Sequence, residues 1–208
     1  MRIFLAGASG VIGVRLVPLL VASSHEVVGM TRTPDKAELL RSLGAEPVVC
    51  DVFDLDALSA AVSGAAVEMV MHQLTDLPDR VDQTSVFRER NDRLRTEGTR
   101  NLIEAARGAG VERFIAQSIS WEPPSGGDAV RDHERMVLEF GGVVLRYGQL
   151  YGPGTFYEHE LPDPPRIHLD EAARRTVDLL DAPSGAIVVT ETDDPVDPAA
   201  DPPGASDE

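Results

Sequence analysis

The chain has 208 residues, of which 42% are hydrophobic and 26% are charged, enough apolar material for one medium-sized domain with a core. Its 19 basic and 35 acidic residues give a formal net charge of −16, which argues against nucleic acid and anionic membranes as partners because both repel it. The single cysteine, Cys50, excludes an internal disulfide and a multi-cysteine metal site. No apolar run approaches the roughly 20 residues that span a bilayer, and the first residues lack a secretory signal. Because the single cysteine forms no internal disulfide, we expect a protein of the reducing cytoplasm.

Predicted strands and helices alternate along the chain. Short runs rich in apolar and β-branched residues predict strands at residues 2–6, 26–30, 47–50, 67–72, 113–117, 143–147 and 186–190. Periodic segments with proline or glycine at their ends predict helices at residues 11–21, 34–43, 55–62, 86–107 and 170–180. This alternation predicts an α/β fold in which a parallel sheet is covered by helices on both faces. Residues 191–208 hold seven acidic residues, four prolines and no base, which predicts a disordered tail.

The sequence GASGVIG at residues 7–13 follows the first predicted strand and opens the first predicted helix. Gly7 would allow a tight turn, Gly10 would let the backbone approach a pyrophosphate, and Gly13 would let the helix pack closely on the sheet. The helix N-terminus then offers free N–H groups and a partial positive charge to the phosphates. In this context the motif predicts a dinucleotide-binding turn rather than a glycine-rich turn without a ligand.

The end of the second predicted strand bears on the choice of nucleotide. An acidic residue there would hold the ribose 2′-hydroxyl of NAD, whereas this chain has Arg32, with Lys36 nearby. Because an arginine can bind a 2′-phosphate through two hydrogen bonds, NADP is favoured over NAD, unless Arg32 is a solvated loop residue. Asp51, after the third predicted strand, is either an acceptor for the adenine amino group or a helix cap.

Five segments in order carry a resemblance to a known family: GASGVIG (7–13), TEGTRNLIEAAR (96–107), RFIAQSIS (113–120), LRYGQLYGPG (145–154) and RIHLDEAA (166–173). Over residues 2–190 the chain resembles the extended short-chain dehydrogenase/reductase superfamily, in its NAD-dependent epimerase/dehydratase branch. The resemblance implies a doubly wound parallel sheet (Rossmann fold) with a small substrate lobe. It also implies hydride transfer at a nicotinamide, used to reduce, epimerise or dehydrate a carbonyl or sugar substrate.

The resemblance assigns cofactor contacts by position. The phosphate turn is matched by Gly7, Ser9, Gly10, Val11, Ile12 and Gly13. The other matched positions are Arg32 at the 2′ group, Asp51 and Val52 at the adenine, Gln73 and Leu74 at the adenine-side ribose, and Ser118 and Tyr147 near the nicotinamide. We expect Ser118 to follow the fifth strand and Tyr147 to lie in a loop. One position departs from the family, because Arg95 stands where an Asn is usual, with Asn91 one helical turn earlier.

The catalytic pair of the family is missing. Family members protonate the substrate with a tyrosine whose pKa is lowered by a lysine four residues later. No Tyr-x-x-x-Lys occurs in this chain. Alignment of residues 132–140 with the family's helix puts Gly126 and Val130 at these two positions, and Lys36, the one lysine, lies elsewhere.

Other residues are candidates for the chemistry. Ser118 or Ser120 would orient a carbonyl, and Tyr147 or Tyr151 would donate a proton; Ser118 and Tyr147 are the chosen catalytic candidates. His133 would act as a general acid near neutral pH. The alternatives are structural: the serines end a strand, Tyr147 packs on the cofactor, and His133 is a solvated helix residue. Two further polar side chains have structural interpretations, His72 in or beside the core and Asp170 as a helix cap. The scattered histidines predict no metal site.

The substrate lobe is predicted to be much reduced, because only residues 155–165 separate the exit loop from the late helix. We therefore divide the chain into a dinucleotide-binding domain (1–154), a residual lobe with the last helix and strand (155–190), and the acidic tail (191–208). The helix at 86–107 is a candidate homodimer face. The leading hypothesis is an NADP-dependent oxidoreductase or epimerase/dehydratase-like enzyme for a small carbonyl or sugar-type metabolite. The alternative is a non-catalytic NADP-binding sensor or complex subunit.

Overall fold

The structure is a computed structural model that describes residues 1–76, 84–121, 123 and 127–191. Nine strands are present in this part of the chain: Arg2–Ala6 (β1), Glu26–Thr31 (β2), Glu46–Val49 (β3), Met69–His72 (β4), Arg113–Ile119 (β5), Val143–Tyr147 (β6), Gln149–Tyr151 (β7), Arg166–His168 (β8) and Gly185–Val189 (β9). Seven of them form one sheet in the order β3-β2-β1-β4-β5-β6-β9, and every neighbouring pair is parallel. The predicted tail lies outside the described residues, apart from Glu191.

Helices cover both faces of the sheet. Their bounds are Gly13–Ala22 (α1), Ala37–Ser42 (α2), Leu55–Ala65 (α3), Thr84–Arg93 (α4), Thr99–Gly108 (α5), Gly127–Phe140 (α6) and Leu169–Asp178 (α7). Because strand side chains alternate, Ile3 and Leu5 enter the core under α1 and α7, whereas Phe4 and Ala6 enter the core under α3, α5 and α6. The predicted doubly wound α/β sheet, a Rossmann fold, is confirmed. None of the described helices combines the length and apolar character needed to cross a membrane.

The long predicted helix at 86–107 is interrupted. Leu94–Gly98 form one π-helical turn between α4 and α5. The hydroxyl of Thr96 donates to the carbonyl oxygen of Asp92, and this type of bond back to the helix competes with regular helical hydrogen bonding. The single helix in the prediction was therefore wrong at this point.

Other boundaries were also misplaced. β5 continues to Ile119 because its pairing with β6 extends through Ser118 and Ile119, so Ser118 lies inside the strand and not after it. α3 runs through Gly64 and ends where Ala66 adopts a left-handed φ of 49°. The N-cap of α7 is His168, whose Nδ1 accepts from the Asp170 amide, so Asp170 is not the cap.

The short strands β7 and β8 pair with each other just beyond the carboxyl end of β6. Gly148, which joins β6 to β7, allows this arrangement. A Cβ at this position would lie 2.7 Å from backbone atoms of Arg166. The segment after β6 is thereby held at the carboxyl edge of the main sheet, where ligands of such folds bind.

A buried chain of hydrogen bonds joins β4, α5, α6 and β5. The Leu74 amide donates to Nδ1 of His72, whose Nε2 then donates to the Thr99 hydroxyl at 3.1 Å. Thr99 in turn donates to Nδ1 of His133 at 2.7 Å, and His133 Nε2 donates to the Gln117 carbonyl oxygen at 2.9 Å. An amide only donates and a carbonyl only accepts, so the two ends fix the direction of the chain and the neutral tautomer of each ring.

His133 is therefore not the solvated residue that the sequence predicted. Burial lowers its pKa from 6.5 to about 4, and burial also lowers the pKa of His72 well below its usual range. The expectation that His72 lies in or beside the core is confirmed. The chain of hydrogen bonds holds Leu74, just after β4, and Gln117, near the end of the neighbouring β5, in a fixed relation.

The buried histidine makes folding stability depend on pH. A depressed folded-state pKa means that the unfolded chain binds protons first, so this contribution is complete above the unfolded value and is lost as pH falls from 6.5 towards 4. We expect about 3 kcal/mol of unfolding free energy to be lost through His133 over this interval. His133→Gln should be less stable at pH 7 but should show a flatter decline, measured by urea unfolding at a series of pH values.

The exposed His159 provides the control, because His159→Gln should keep the wild-type slope. An unchanged slope in His133→Gln would contradict the buried, neutral assignment.

Candidate functional site at the carboxyl edge of the sheet

The phosphate turn lies at the point where the sheet order reverses. β1 pairs with β2 on one side and β4 on the other, so the chain leaves these neighbouring strands towards opposite faces. Gly7 follows β1 with a φ of +91°, and a Cβ there would lie 2.6 Å from the Gln73 carbonyl oxygen after β4. Glycine is required at this position for both reasons. The tight turn expected at Gly7 is present.

Gly10 and Gly13 differ in what surrounds them. A Cβ on Gly13 would be 2.2 Å from the Gly7 carbonyl oxygen, so this glycine allows the helix to approach the turn. A Cβ on Gly10 would meet only the Gly7 carbonyl oxygen, at 3.3 Å, and Gly10 is exposed. The space above Gly10 is therefore open on the side where a ligand would approach the backbone.

The N-terminus of α1 provides hydrogen-bond donors without described acceptors. The backbone amides of Gly10 and Val14 bond to Gly7 and Gly10, but those of Val11, Ile12 and Gly13 donate to no group in the described part of the chain. Together with the helix dipole, these amides fit the oxygen atoms of a diphosphate. The residues present therefore fit the cofactor that the motif predicts.

Arg15 connects the phosphate turn to two other segments. Its guanidinium bonds to Asp170 at 2.7 Å, to the Val11 carbonyl oxygen at 3.0 Å and to the Pro153 carbonyl oxygen at 2.9 Å. It therefore links α1 to the start of α7 and to the segment after β7. The exit segment of the lobe and the phosphate turn are held together by one side chain.

The end of β2 faces the same cleft. The Ser9 hydroxyl donates to the Thr31 hydroxyl at 3.0 Å, which joins the phosphate turn to the β2 end. The following residue, Arg32, is exposed, and its side chain has no ion pair or hydrogen bond among the described residues; the same holds for the side chain of Lys36. These two side chains provide positive charge without an acidic partner beside the phosphate turn.

The end of β3 is organised by backbone contacts. Asp51 is exposed and its carboxylate accepts from the Phe53 amide at 3.0 Å, whereas Asp54 caps α3. Asp51 therefore forms a local turn and is not the helix cap. Val52 is buried, and its carbonyl oxygen accepts from the Asn101 side chain at 2.9 Å. This fixes the segment that the resemblance assigns to the adenine pocket.

Tyr147 was expected in a loop, but it is the last residue of β6 and only 2% exposed. Its hydroxyl lies 2.6 Å from the Thr176 hydroxyl and accepts from the side-chain amide nitrogen Nε2 of Gln73 at 3.4 Å. Burial is the main cause that raises the pKa of the phenol to about 12. The side chain packs between the sheet and α7, and it does not present a proton to the cleft.

Ser118 is also internal. Its hydroxyl donates to Oε1 of Glu134 at 2.5 Å, and Glu134 forms an ion pair with Arg146 at 2.6 Å. The Ser118 hydroxyl thus donates its proton to a buried carboxylate and not to a substrate. Ser120 differs, because its buried hydroxyl has no hydrogen-bond partner in the described chain.

Sequence reasoning missed Glu134 and Thr99, although α6 contained a signal. Glu134 shares one face of the helix with the buried Val130, His133 and Val137. A charged residue on an otherwise apolar helix face indicates a buried partner, here Arg146. Thr99 gave no comparable signal, since its role depends on the histidines from two other elements.

Comparison with known proteins agrees with this geometry. A family model described as NAD(P)H-binding matches residues 7–130, more than half of the chain. A 3-diazoavenalumate denitrifying reductase from Streptomyces sp is 39% identical over 185 residues, which cover 77% of this chain and 60% of that protein. A 3-beta-hydroxysteroid dehydrogenase from Mycolicibacterium neoaurum is 30% identical over 152 residues, 72% of this chain and 39% of that protein. The chain thus spans less than two thirds of the length of either relative.

A solved structure shares the fold. The UDP-glucuronic acid 4-epimerase from Bacillus cereus, in complex with UDP-glucuronic acid and NAD, superposes with a TM-score of 0.73 at 21% identity, covering 92% of this chain and 78% of that one. The family match includes the phosphate turn whose amides and glycines are described above. The chain belongs to the NAD(P)H-binding family and is an atypical member of the short-chain dehydrogenase/reductase superfamily.

Proposed function

We propose that the chain binds NADPH at the carboxyl edge of its sheet and reduces a small substrate. The observation that carries the proposal is the phosphate turn, where the amides of Val11, Ile12 and Gly13 lack described acceptors beside the open face of Gly10. When bound, reduced nicotinamide supplies a hydride, and the protein supplies position and charge.

The preference for NADPH rests on Arg32 and Lys36. Both are exposed beside the phosphate turn, and neither is neutralised by an acidic group in the described chain. A 2′-phosphate would find two cations there, whereas the acidic residue that holds a 2′-hydroxyl is absent from the end of β2. NAD is the second choice. Asp51 and Val52 would contact the adenine, and Leu74 the adjacent ribose.

The substrate should not depend on a strong proton donor in the protein. Tyr147 is buried with a raised pKa, Ser118 donates to Glu134, and the chain has no Tyr-x-x-x-Lys. The Ser120 hydroxyl has no hydrogen-bond partner in the described chain, but it is buried and does not face the cleft as it stands. An electrophile that accepts hydride without prior protonation fits such a site better than an unactivated ketone does.

A relative's name suggests a substrate of this kind. Since one relative is a denitrifying reductase of a diazo compound, we infer a diazo-substituted aromatic carboxylate for this chain. An arenediazonium ion and a hydride together give an arene and dinitrogen, so atoms and charge balance without a proton donor. The net charge of −16 also attracts a cationic group.

A non-catalytic NADP-binding sensor or complex subunit is the second candidate. The specific observation in its favour is that both expected catalytic hydroxyls, those of Ser118 and Tyr147, form hydrogen bonds inside the protein.

The homodimer through residues 86–107 stays a prediction. The exposed residues of α5 that would meet a partner include Arg100, Glu104 and Arg107, so such an interface would be polar.

Gly10→Val tests the cofactor site. The added side chain would fill the open space above the turn and would meet only the Gly7 carbonyl oxygen, 3.3 Å from its Cβ, so it should block a diphosphate while the protein stays folded. We expect the Kd for NADPH to rise at least about tenfold, ~1.4 kcal/mol, in a calorimetric titration. Gly64→Ala is the control, because its Cβ meets nothing within 4 Å, and it should bind as wild type does. Unchanged NADPH binding in Gly10→Val would refute the site.

Arg32→Gln tests the nucleotide preference. Loss of the guanidinium should weaken NADPH binding about ten- to a hundredfold and leave NADH binding unchanged, because only NADPH carries the 2′-phosphate. Arg41→Gln removes an arginine that is paired with Glu38 and should alter neither affinity. Equal affinity of the wild-type protein for NADH and NADPH would overturn the preference.

The reaction is tested by NADPH oxidation in the presence of a carboxybenzenediazonium ion, with dinitrogen measured by mass spectrometry. We expect benzoate and dinitrogen in equal amounts, faster than the spontaneous reaction, and Tyr147→Phe should retain the rate within about twofold because its hydroxyl is internal. Gly10→Val should show only the spontaneous rate. NADPH binding without acceleration for this ion or for ketones, aldehydes and nucleotide sugars would favour the sensor.

A further inference from the structure

Arg95 lies in the π-helical turn Leu94–Gly98, at the carboxyl edge of β4 and β5. Turns of this type are rare and occur often at functional sites. Asn91, in the turn before, accepts from the Asp76 amide beyond the end of β4, and Thr99, in the turn after, bonds to both buried histidines. Arg95 is therefore placed between two positions that are fixed to the ends of the central strands.

Arg95 is an unpaired cation among paired ones. The neighbouring Arg93 is bonded to Glu97 at 2.6 Å, and Arg146 is bonded to Glu134 at 2.6 Å. Arg95 is half-buried, yet its guanidinium makes no hydrogen bond or ion pair with any residue that the structure describes. Burial lowers the pKa of its guanidinium, while the charges of Asp92 and Glu134 act in the opposite direction without forming an ion pair with it.

The groups that face Arg95 do not neutralise it. Its charge contributes to the lowered pKa values of His72 and His133, both of which stay neutral in the hydrogen-bonded chain. Glu134 already accepts from Ser118 and from Arg146. A partly desolvated cation without a counter-charge is unfavourable in the free protein, and a bound anion would relieve this cost.

The phosphate turn and Arg95 belong to different faces of the sheet. α1 packs against the sheet face that contains Ile3 and Leu5, whereas the π turn leads into α5 on the opposite face. The amides of residues 11–13 and the Arg95 side chain therefore belong to elements on opposite faces of the sheet. Of the two residues that the resemblance places near the nicotinamide, Ser118 lies on the Arg95 face and bonds to α6, whereas Tyr147 packs against α7 on the opposite face.

We propose that Arg95 binds the carboxylate of the substrate and thereby positions its reactive end over the carboxyl edge of β5. This inference rests on the proposed reductase function, which puts a substrate at that edge. An arginine presents several N–H donors in one plane and can hold both oxygens of a carboxylate, so an arginine suits this role better than the Asn that is usual in the family.

The experiment titrates benzoate, and neutral benzamide as its comparator, into protein saturated with NADP. Arg95→Gln should weaken benzoate binding at least about tenfold, while benzamide binding and the Kd for NADPH stay within about twofold. Arg100→Gln, an exposed position on α5, is the matched control and should bind benzoate normally. A carboxybenzenediazonium ion should show a raised KM with Arg95→Gln.

A second measurement needs no ligand. Thermal unfolding of Arg95→Met should occur at a higher temperature than that of the wild type, because an uncompensated cation is removed. Arg146→Met should unfold at a lower temperature, because Glu134 loses its partner.

Three results would overturn the Arg95 proposal. They are benzoate binding to Arg95→Gln as tight as to wild type, no saturable benzoate binding to wild type, and a loss of NADPH affinity equal to the loss of benzoate affinity. The last result would assign Arg95 to a cofactor phosphate. Failure of wild-type protein to bind NADPH at all would instead defeat the proposed function, while the unfolding comparison would still test the charge of Arg95.

Discussion

The close approach of the Gly7 turn to the end of β4 is the constraint on which the site depends. At Gly7 any Cβ would be 2.6 Å from the Gln73 carbonyl oxygen, and at Gly13 any Cβ would be 2.2 Å from the Gly7 carbonyl oxygen. Only with two glycines does α1 begin directly above the central strands. Its free amides then point into the cleft, and the ends of β2, β4 and β5 can contribute side chains to one ligand.

The polar groups around this cleft divide into two sets. Inside, the hydroxyl of Tyr147 bonds to Thr176, that of Ser118 to Glu134, and that of Thr99 to two histidines. These bonds keep the ends of the strands rigid because a buried polar group without a partner costs about 1–3 kcal/mol. By contrast, the side chains of the exposed Arg32 and the half-buried Arg95 have no partners among the described residues. Around this cleft, the hydroxyl groups named above and the carboxylate of Glu134 form internal hydrogen bonds. The groups left for a ligand are therefore positively charged, although the protein as a whole is strongly acidic.

Much of the fold was predictable, since the apolar strands, the glycine turn and the family segments are local signals. The predicted sixth strand, residues 143–147, has the observed bounds, and all seven predicted strands of the main sheet exist. The resemblance nevertheless placed Tyr147 in a loop facing the nicotinamide, whereas its pairing with Val189 keeps it in the strand, and that pairing depends on a strand 38 or more residues later. The solvated interpretation of His133 failed for a similar reason. Nothing near it in sequence reveals that Thr99 and the Gln117 carbonyl would surround it.

The sequence by itself determined the alternating α/β order, the dinucleotide turn and the absence of a Tyr-x-x-x-Lys pair, because each is a short-range pattern of residue types. Only the tertiary structure decided which polar side chains are free. Ser118 and Ser120 are two residues apart and chemically identical, yet one hydroxyl meets Glu134 from α6 and the other meets no described partner. Partners of this kind come from distant segments that pack together only when the sheet is complete, so no local pattern encodes them.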